Sequence, residues 1–216
     1  MKTRAELKDA ALEDLKGFWK GPVVAALIYL VIAVIFSGRS NVGYTNGELV
    51  ANNVTTWNGI CLLVSLFFIL PMSYSYLLLF LDFIRGEKEK VVGKLFAFFK
   101  HYGRALGTAF LVALYTFFWS LLLIIPGIIM SLAYSMTYFI SKDHPEYSID
   151  ECIEASKKMM YGHKWELFVL YLSFIGWLLL AILTFCIGFL WLSPYFRTTI
   201  AHYYEELKAE TEALPA

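Results

Sequence analysis

The sequence predicts an all-α fold, a polytopic bundle of six transmembrane helices with three amphipathic helices at the inner membrane surface. The first observation is composition: 59% of the 216 residues are hydrophobic and the mean hydropathy is +0.60. The second is that these residues form several uncharged stretches, each close to the roughly 20 residues of a membrane helix. A soluble domain can bury one such stretch but not several, so we expect a membrane protein.

The longest uncharged stretch, Ala105 to Ser141, is almost twice as long as one membrane helix requires. Arg104 precedes it and Lys142 follows it, and basic residues concentrate on the cytoplasmic side of membrane proteins. Both ends therefore face the inside, so the stretch must cross the membrane twice. Because Pro126-Gly127 is a turn and helix-stop signal, the sequence predicts a hairpin that turns there, at the outer surface.

Three amphipathic helices are predicted at the inner surface. The first covers residues 1–20, where apolar residues face one side and lysines the other, as in helices of the lipid headgroup layer. A soluble cytoplasmic helix is the alternative for this segment. The second covers Leu95 to Tyr102. The third begins at a capping box formed by Ser148 and Glu151.

The whole chain, 1–216, is predicted to form one integral membrane domain. Gly188 breaks the last apolar run as Pro126-Gly127 breaks the central one. The spans are placed at about 22–37, 60–84, 105–125, 127–141, 166–186 and 189–204. Residues 38–58 form an outer loop, and 85–104, 142–165 and the tail 205–216 lie inside. Both termini are therefore expected in the cytoplasm, because almost all basic residues fall in the inner segments.

The last two hairpins share a pattern of residues. Each has a glycine followed seven residues on by a tyrosine and three further by a threonine: Gly127, Tyr134 and Thr137, then Gly188, Tyr195 and Thr198. All units would begin on the inside, so the pattern predicts a parallel internal repeat. A threefold version includes the first two spans, which match less well. Chance matching in an aromatic-rich sequence is the alternative.

Arg197 is the sharpest candidate for a ligand contact. It lies about nine residues beyond Gly188, roughly 13 Å into the membrane at 1.5 Å per residue. An arginine at that depth costs at least ~2.5 kcal/mol and usually faces the bundle interior with a partner. It contacts an anionic ligand or a lipid headgroup, or else it snorkels to the inner interface or pairs with Asp82 or Glu166.

The other candidates have two interpretations each. Asp82 lies near the inner end of its span, where it is solvated, forms an ion pair or contacts a ligand. Tyr134 and Tyr195 occupy matching repeat positions, which predicts core packing or the lining of a cavity. Thr198 belongs to the same repeated pattern. Pro126, Gly127 and Gly188 are the predicted structural turns.

No pattern in the sequence predicts catalysis. It contains no glycine-rich phosphate loop, no metal-ligand cluster and no nucleophile elbow. We therefore predict no catalytic residue, no cofactor and no metal. The formal net charge is zero, so nucleic acid is not an expected partner either.

Several ordered segments resemble a known family. They are LKDAALEDLKGFW, LFAFFKHYGR, IIPGIIMSLAYSMTYFI, DHPE and the run from IEASKKMMYGHKW to SPYFRTTIAHYYEEL. The chain resembles DUF975, a family of small bacterial integral membrane proteins of unknown function. The resemblance implies a polytopic helical protein of the bacterial cytoplasmic membrane and no known activity. Cys186 departs from it, since a glycine is expected there.

Two functions are compatible with these features. The first is a non-enzymatic protein that binds or moves a small molecule or lipid, with Arg197 near the site. The second is a membrane scaffold or accessory subunit that holds a protein partner through its inner-surface helices. A cavity reaching Arg197 favours the first, and an exposed apolar groove on the inner face favours the second. Membrane lipids are expected partners in both cases, and the oligomeric state is left open.

Overall fold

A computed structural model describes residues 2–36, 42–45, 48–51, 59–60, 63–184 and 187–213, which are mostly helical. A π-helical turn, Ser65–Ile69, leads directly into the third α-helix, and a 3₁₀-helix, Ala97–His101, leads directly into the fifth. The α-helices are α1 (Arg4–Leu15), α2 (Lys20–Phe36), α3 (Leu70–Ile84), α4 (Val91–Leu95), α5 (Tyr102–Leu122), α6 (Ile124–Ala133), α7 (Thr137–Asp143), α8 (Ile149–Met159), α9 (Lys164–Leu172), α10 (Ile175–Leu183) and α11 (Phe189–Ala213).

A short β-hairpin is the exception to the helical prediction. Its strands, β1 (Val42–Thr45) and β2 (Glu48–Ala51), pair antiparallel, with Val42 opposite Ala51. Both strands fall within 38–58, the segment predicted as a polar outer loop. A lone two-stranded hairpin does not alter the fold class, because it supplies no core of its own.

Three described helical stretches are long and apolar enough to cross a membrane: Ser65–Ile84, Val91–Leu121 and Lys164–Leu183. A fourth is reached if α1 and α2, which are bent by 98° relative to each other, are taken together as one span. These helices confirm an α-helical fold with the character of a membrane protein. The six predicted spans are not confirmed.

The spans predicted at 127–141 and 189–204 are not among these stretches, for two physical reasons. The first is interrupted, because α6 ends at Ala133 and α7 begins at Thr137. The second lies in α11, which carries the charge of Arg197 and an acidic second half, so its mean hydropathy is low. Neither segment has the unbroken apolar length that defines a simple membrane helix.

The central uncharged stretch forms a hairpin, but it reverses earlier than predicted. The backbone is extended at Leu123, between α5 and α6. A Cβ on Gly127 would lie 2.8 Å from the Cα of Ser120, and the rings of Tyr115 and Tyr134 are 6.2 Å apart, so the two helices run back along each other. Pro126 and Gly127 therefore lie in the first turn of α6, where a proline is tolerated because its N–H is not needed.

The helix α3 lies at the centre of the bundle. In the apolar window of Ser65–Ile84, 61% of the residues are buried, against 22% for Lys164–Leu183. The helix contacts α4, α5, α7 and α11. Its fully buried side chains are among the largest of the core and include Met72, Tyr76, Phe80 and Phe83. The other candidate spans keep apolar faces exposed, as helices that face lipid do.

The first amphipathic helix packs within the protein. Thr3 and Glu6 form a capping box at the start of α1, and the helix buries Leu7, Ala11 and Leu15. It contacts α11, so its apolar face is covered by the chain itself. The apolar face of α1 therefore contacts α11, and the predicted position of the helix in the headgroup layer stays a prediction.

The third amphipathic helix also packs within the protein. The capping box of Ser148 and Glu151 is confirmed at the start of α8. The helix buries Cys152, Ile153 and Ser156 and contacts α7 and α5. The hydroxyl of Ser156 donates to the carbonyl of Ala133, 2.7 Å away, which satisfies a backbone acceptor at the break between α6 and α7.

Candidate functional site

Arg197 lies on α11, half-buried and against an aromatic ring of α3. Its guanidinium carbon is 5.3 Å from the ring centroid of Tyr76, which is cation–π distance. Tyr76 in turn stacks on Tyr29 with centroids 4.6 Å apart, and its hydroxyl lies 2.6 Å from that of Ser193. Contacts with α2 and α3 therefore fix the arginine and its nearest ring.

The charge of Arg197 also acts on four tyrosines from four helices. They are Tyr29 on α2, Tyr76 on α3, Tyr138 on α7 and Tyr171 on α9. We call Arg197 and these residues the Arg197–tyrosine cluster. A guanidinium donates through five N–H groups and each phenol through one O–H, so the cluster combines one fixed positive charge with several donors.

Neither predicted ion-pair partner contacts Arg197. Asp82 pairs with Lys142, and Glu166 lies 3.2 Å from the Nδ1 of His163. Within the ranges that the structure describes, Arg197 forms no ion pair with any carboxylate. The predicted ligand contact of Arg197 stays a prediction.

The remaining candidates are placed in the core. Tyr134 and Tyr195 are 3% and 6% exposed, and the ring of Tyr195 lies 5.2 Å from that of Phe174. Thr198 is fully buried, and its hydroxyl donates to the carbonyl of Pro194 at 2.8 Å. Tyr195 and Thr198 share α11 with Arg197, whereas Tyr134 lies at the break between α6 and α7.

A carboxylate that the sequence did not single out is the hub of the best-connected polar cluster. Asp143 ends α7, and its side chain is 7% exposed. It accepts two hydrogen bonds from Arg85, at 2.7 and 2.6 Å, one from the hydroxyl of Tyr204 at 3.0 Å and one from the ammonium of Lys208 at 2.8 Å. The cluster joins the C-terminal end of α3 to α7 and α11.

The environment of Asp143 keeps its carboxylate ionised. Burial raises its pKa, but the hydrogen bonds from Arg85 and Lys208, the charge of Arg85 and the Tyr204 hydroxyl lower it more. The net pKa of Asp143 is well below the usual range. These contacts raise the pKa of Arg85 above its already high value, although burial opposes this. Both partners are therefore charged, and the geometry is the bidentate one that strengthens such pairs.

Arg104 closes the other side of α7. Its guanidinium donates to the carbonyls of Ser141 at 3.1 Å, His144 at 2.8 Å and Pro145 at 2.8 Å. The last carbonyls of a helix have no partner within the helix, so Arg104 satisfies the C-terminal end of α7. The sequence placed Arg104 among the basic residues of an inner segment but gave no signal for these contacts.

A cavity of about 310 Å³ opens beside Arg104, between α3, α4, the 3₁₀-helix, α5 and α7. A second cavity of about 350 Å³, between α1, α10 and α11, is lined by Trp19, Trp177 and Trp191. Arg197 lines neither of them. In the part of the chain that the structure describes, no group of three or more His, Cys, Asp or Glu side chains is arranged to hold a metal ion.

Comparison with known proteins gives one match. The family model described as "Protein of unknown function (DUF975)" matches residues 1–129 and 121–211. No curated protein matches the chain. No solved structure matches it either. The chemistry of the candidate site therefore depends on the contacts of this chain alone.

Proposed function

The chain belongs to DUF975, a family of proteins of unknown function, and on that basis we propose that it binds an anionic small molecule inside a multi-pass bundle of the bacterial cytoplasmic membrane. The proposed bundle has six spans and both termini in the cytoplasm. Its spans are α2, the stretch ending in α3, α5, the pair α6–α7, the pair α9–α10 and α11. The proposed function is non-enzymatic, and the bound molecule is held or passed on by the Arg197–tyrosine cluster.

We further propose that the six spans form three parallel repeats. The surface helices of the first and third units support this, because α1 and α8 begin with the same capping box. A glycine with positive φ, Gly17 or Gly162, ends each unit's surface segment at the same distance from its N-cap. The buried positions also correspond: Leu7, Ala11 and Leu15 in the first unit, and Cys152, Ser156 and Met160 in the third.

The last two hairpins support the repeat through their contacts. A Cβ on Gly127 would meet the Cα of Ser120, and one on Gly188 would meet the Cα of Ala181, seven residues earlier in both cases. The tyrosine and threonine that follow each glycine are buried in both hairpins. The correspondence extends from the sequence pattern to the contacts of its residues, which supports the repeat over chance matching.

The packing of the surface helices also agrees with three units. The helix α4 contacts α3, α8 contacts α7, and α1 contacts α11. Each surface helix thus packs on the second span of the preceding unit, and α1 completes the circle by packing on the last. In the alignment of the last two hairpins on Gly127 and Gly188, Arg197 occupies the position of Met136. The uncharged residue at the matching position supports a role for Arg197 beyond packing.

The observation that carries the anion proposal is a half-buried arginine with no carboxylate partner among the described residues. Such a charge inside a membrane bundle is costly, and proteins usually neutralise it with a counter-charge. The Tyr76 ring compensates part of the cost, and the neighbouring phenols supply hydrogen-bond donors. A bound anion, such as a carboxylate, would provide the missing negative charge.

The scaffold alternative has less support. A scaffold that acts through its inner-surface helices must present their apolar faces to a partner protein. The apolar faces of α1 and α8 instead pack on α11 and α7. Their outward faces are mostly polar, and the groove of about 360 Å³ that opens between α7, α8 and α11, beside Ile140 and Met159, is the surface that this alternative would use.

The test is the thermal unfolding of the purified protein in detergent with acetate, chloride or phosphate at constant ionic strength. A ligand at about 100 times its Kd stabilises the native state by ~2.7 kcal/mol, so we expect at least one anion to raise the Tm. Arg197→Gln should abolish that rise, and Arg4→Gln, which removes an exposed arginine, should preserve it. Equal rises in the wild type and Arg197→Gln with acetate and with chloride would contradict the proposal.

A further inference from the structure

The cavity between α3, α4, the 3₁₀-helix, α5 and α7 has one basic side and one apolar side; we call it the inner cavity. It encloses about 310 Å³. Its apolar wall includes Tyr74, Leu78 and Leu79, all on α3. Its polar side consists of Asp82, Lys94, His101, Arg104 and Lys142. The residues come from five elements, α3, α4, the 3₁₀-helix, α5 and α7, that the core packing holds in place.

Positive charge is in excess on the polar side. Lys142 pairs with Asp82, and the ammonium of Lys94 lies 3.8 Å from the other oxygen of the same carboxylate. One carboxylate therefore faces two lysines and the guanidinium of Arg104. Lys94 also contacts Glu87 at 2.6 Å, but the Glu87 side chain is 67% exposed, so water screens that pair.

The polar side is built to keep its charge. The guanidinium of Arg104 is fixed by backbone carbonyls at the end of α7, which neutralise none of its full charge. The lysine side chains are only 20–25% exposed, so they cannot fully extend into water. A partly enclosed site with excess positive charge favours an anion.

The position of the cavity defines the class of anion. Asp82 and Lys142 lie near the inner ends of α3 and α7, next to the apolar surface of Leu78 and Leu79. Basic pockets between membrane helices on the cytoplasmic side bind the headgroups of anionic phospholipids. A phosphate fits the lysines, and an acyl chain fits the apolar wall.

We infer that the inner cavity binds a phosphate group, carried by an anionic membrane phospholipid. The phosphate contacts Lys94 and Lys142, His101 lies beside it, and Arg104 adds a fixed positive field. The glycerol and the first part of an acyl chain lie along Leu78 and Leu79. This site is separate from the Arg197–tyrosine cluster and does not depend on the function proposed for that cluster.

Native mass spectrometry of the detergent-purified protein tests the inference, with added phosphatidylglycerol and, for comparison, phosphatidylcholine. We expect phosphatidylglycerol adducts on the wild type at lower lipid concentration than phosphatidylcholine adducts. Lys94→Gln combined with Lys142→Gln should weaken phosphatidylglycerol binding about tenfold or more, since each lysine supplies a charge-assisted hydrogen bond. Lys100→Gln is the matched control, because it removes an exposed lysine of the same segment that does not line the cavity.

A second variant keeps the test valid if the double variant does not fold. Ala97→Phe places a ring in the inner cavity from an exposed 3₁₀ position and changes no charge. It should reduce phosphatidylglycerol binding as the double variant does. Equal binding to the wild type, Ala97→Phe and the double variant would overturn the inference.

Inorganic phosphate distinguishes the two sources of the group. Phosphatidylglycerol binding that persists in about 10 mM inorganic phosphate supports a phospholipid as the source of the phosphate group. Alternatively, inorganic phosphate stabilises the wild type but not the double variant, and the protein shows no preference for phosphatidylglycerol. That result would show that the cavity binds phosphate and would overturn the inference that a lipid carries it. Equal adducts of both lipids, with no effect of inorganic phosphate, would overturn the site itself.

Discussion

Arg85 donates two hydrogen bonds to Asp143, at 2.7 and 2.6 Å, and so joins the C-terminal end of α3 to the C-terminal end of α7. The two residues are far apart in the chain and meet only because the bundle brings these two helix ends together. Tyr204 and Lys208 of α11 bond to the same carboxylate. One side chain thus connects the C-terminal ends of α3 and α7 to the middle of α11.

We expect Asp143→Asn to destabilise the protein by roughly 2 kcal/mol. Breaking a fully buried ion pair costs about 3–5 kcal/mol. We expect a smaller loss here because the Arg85 side chain is about one-third exposed, so water screens part of the interaction. Thermal unfolding in detergent measures the change. Glu146→Gln is the control, because its exposed carboxylate contacts only His144 among the described side chains and should leave the Tm unchanged. Equal Tm values for Asp143→Asn and the wild type would refute the role given to this carboxylate.

The same cluster predicts a dependence on pH. Because the folded state lowers the pKa of Asp143, its contribution is fully present above the unfolded pKa, about 3.9, and is lost as the pH falls towards the folded pKa. The Tm difference between the wild type and Asp143→Asn should therefore be constant from about pH 7 to 5 and shrink below about pH 4. A difference that grows on acidification would have the wrong sign. Unfolding curves of both proteins across this range decide the matter.

The sequence predicted local features better than long-range ones. The capping box of Ser148 and Glu151 is confirmed, because it depends on residues three positions apart. The reversal at Leu123 was missed, since an apolar residue in extended backbone has no sequence signal, whereas Pro126 is a strong signal within the first turn of α6. From the sequence, Arg85 could be recognised only as one of the basic residues that predict the orientation of the chain in the membrane. Its bond to Asp143 is tertiary and cannot be read from spacing.

The same limit applies to the candidate site. Arg197 was found because one charge in a long apolar run is conspicuous. Its neighbours Tyr29, Tyr138 and Tyr171 were not, because tyrosines are common in this chain and only packing selects these three. The inner cavity was also missed, since its lysines looked like ordinary residues of an inner segment.

Gly127 and Gly188 should not tolerate alanine. A Cβ on Gly127 would lie 2.8 Å from the Cα of Ser120, and one on Gly188 would lie 2.7 Å from the Cα of Ala181. Backbone cannot shift as a flexible side chain can, so we expect each substitution to lower stability by about 1–3 kcal/mol. Thermal unfolding of the two variants provides the measurement.

Gly103 and Gly176 are the matched controls for these substitutions. Both lie in helices, α5 and α10, and a Cβ on either would meet no atom within 4 Å. Alanine there should be neutral or stabilising by up to ~1 kcal/mol, because it favours the helix. The same loss of stability at all four glycines would show that close helix packing is not the cause.

Single cysteines test the proposed topology in intact cells, on a background in which Cys61, Cys152 and Cys186 are replaced by alanine. We expect a membrane-impermeant maleimide to label Thr45→Cys, in the proposed outer loop. It should not label Lys100→Cys or Glu212→Cys, whose side chains are exposed but assigned to the inside. Permeabilised cells supply the control, because all three cysteines should then react. Six crossings require both ends of the chain on the same side of the membrane. Labelling of Glu212→Cys but not of Lys100→Cys in intact cells would therefore contradict the even number of spans. It would also contradict the proposed ring of three repeats in which α1 packs on α11.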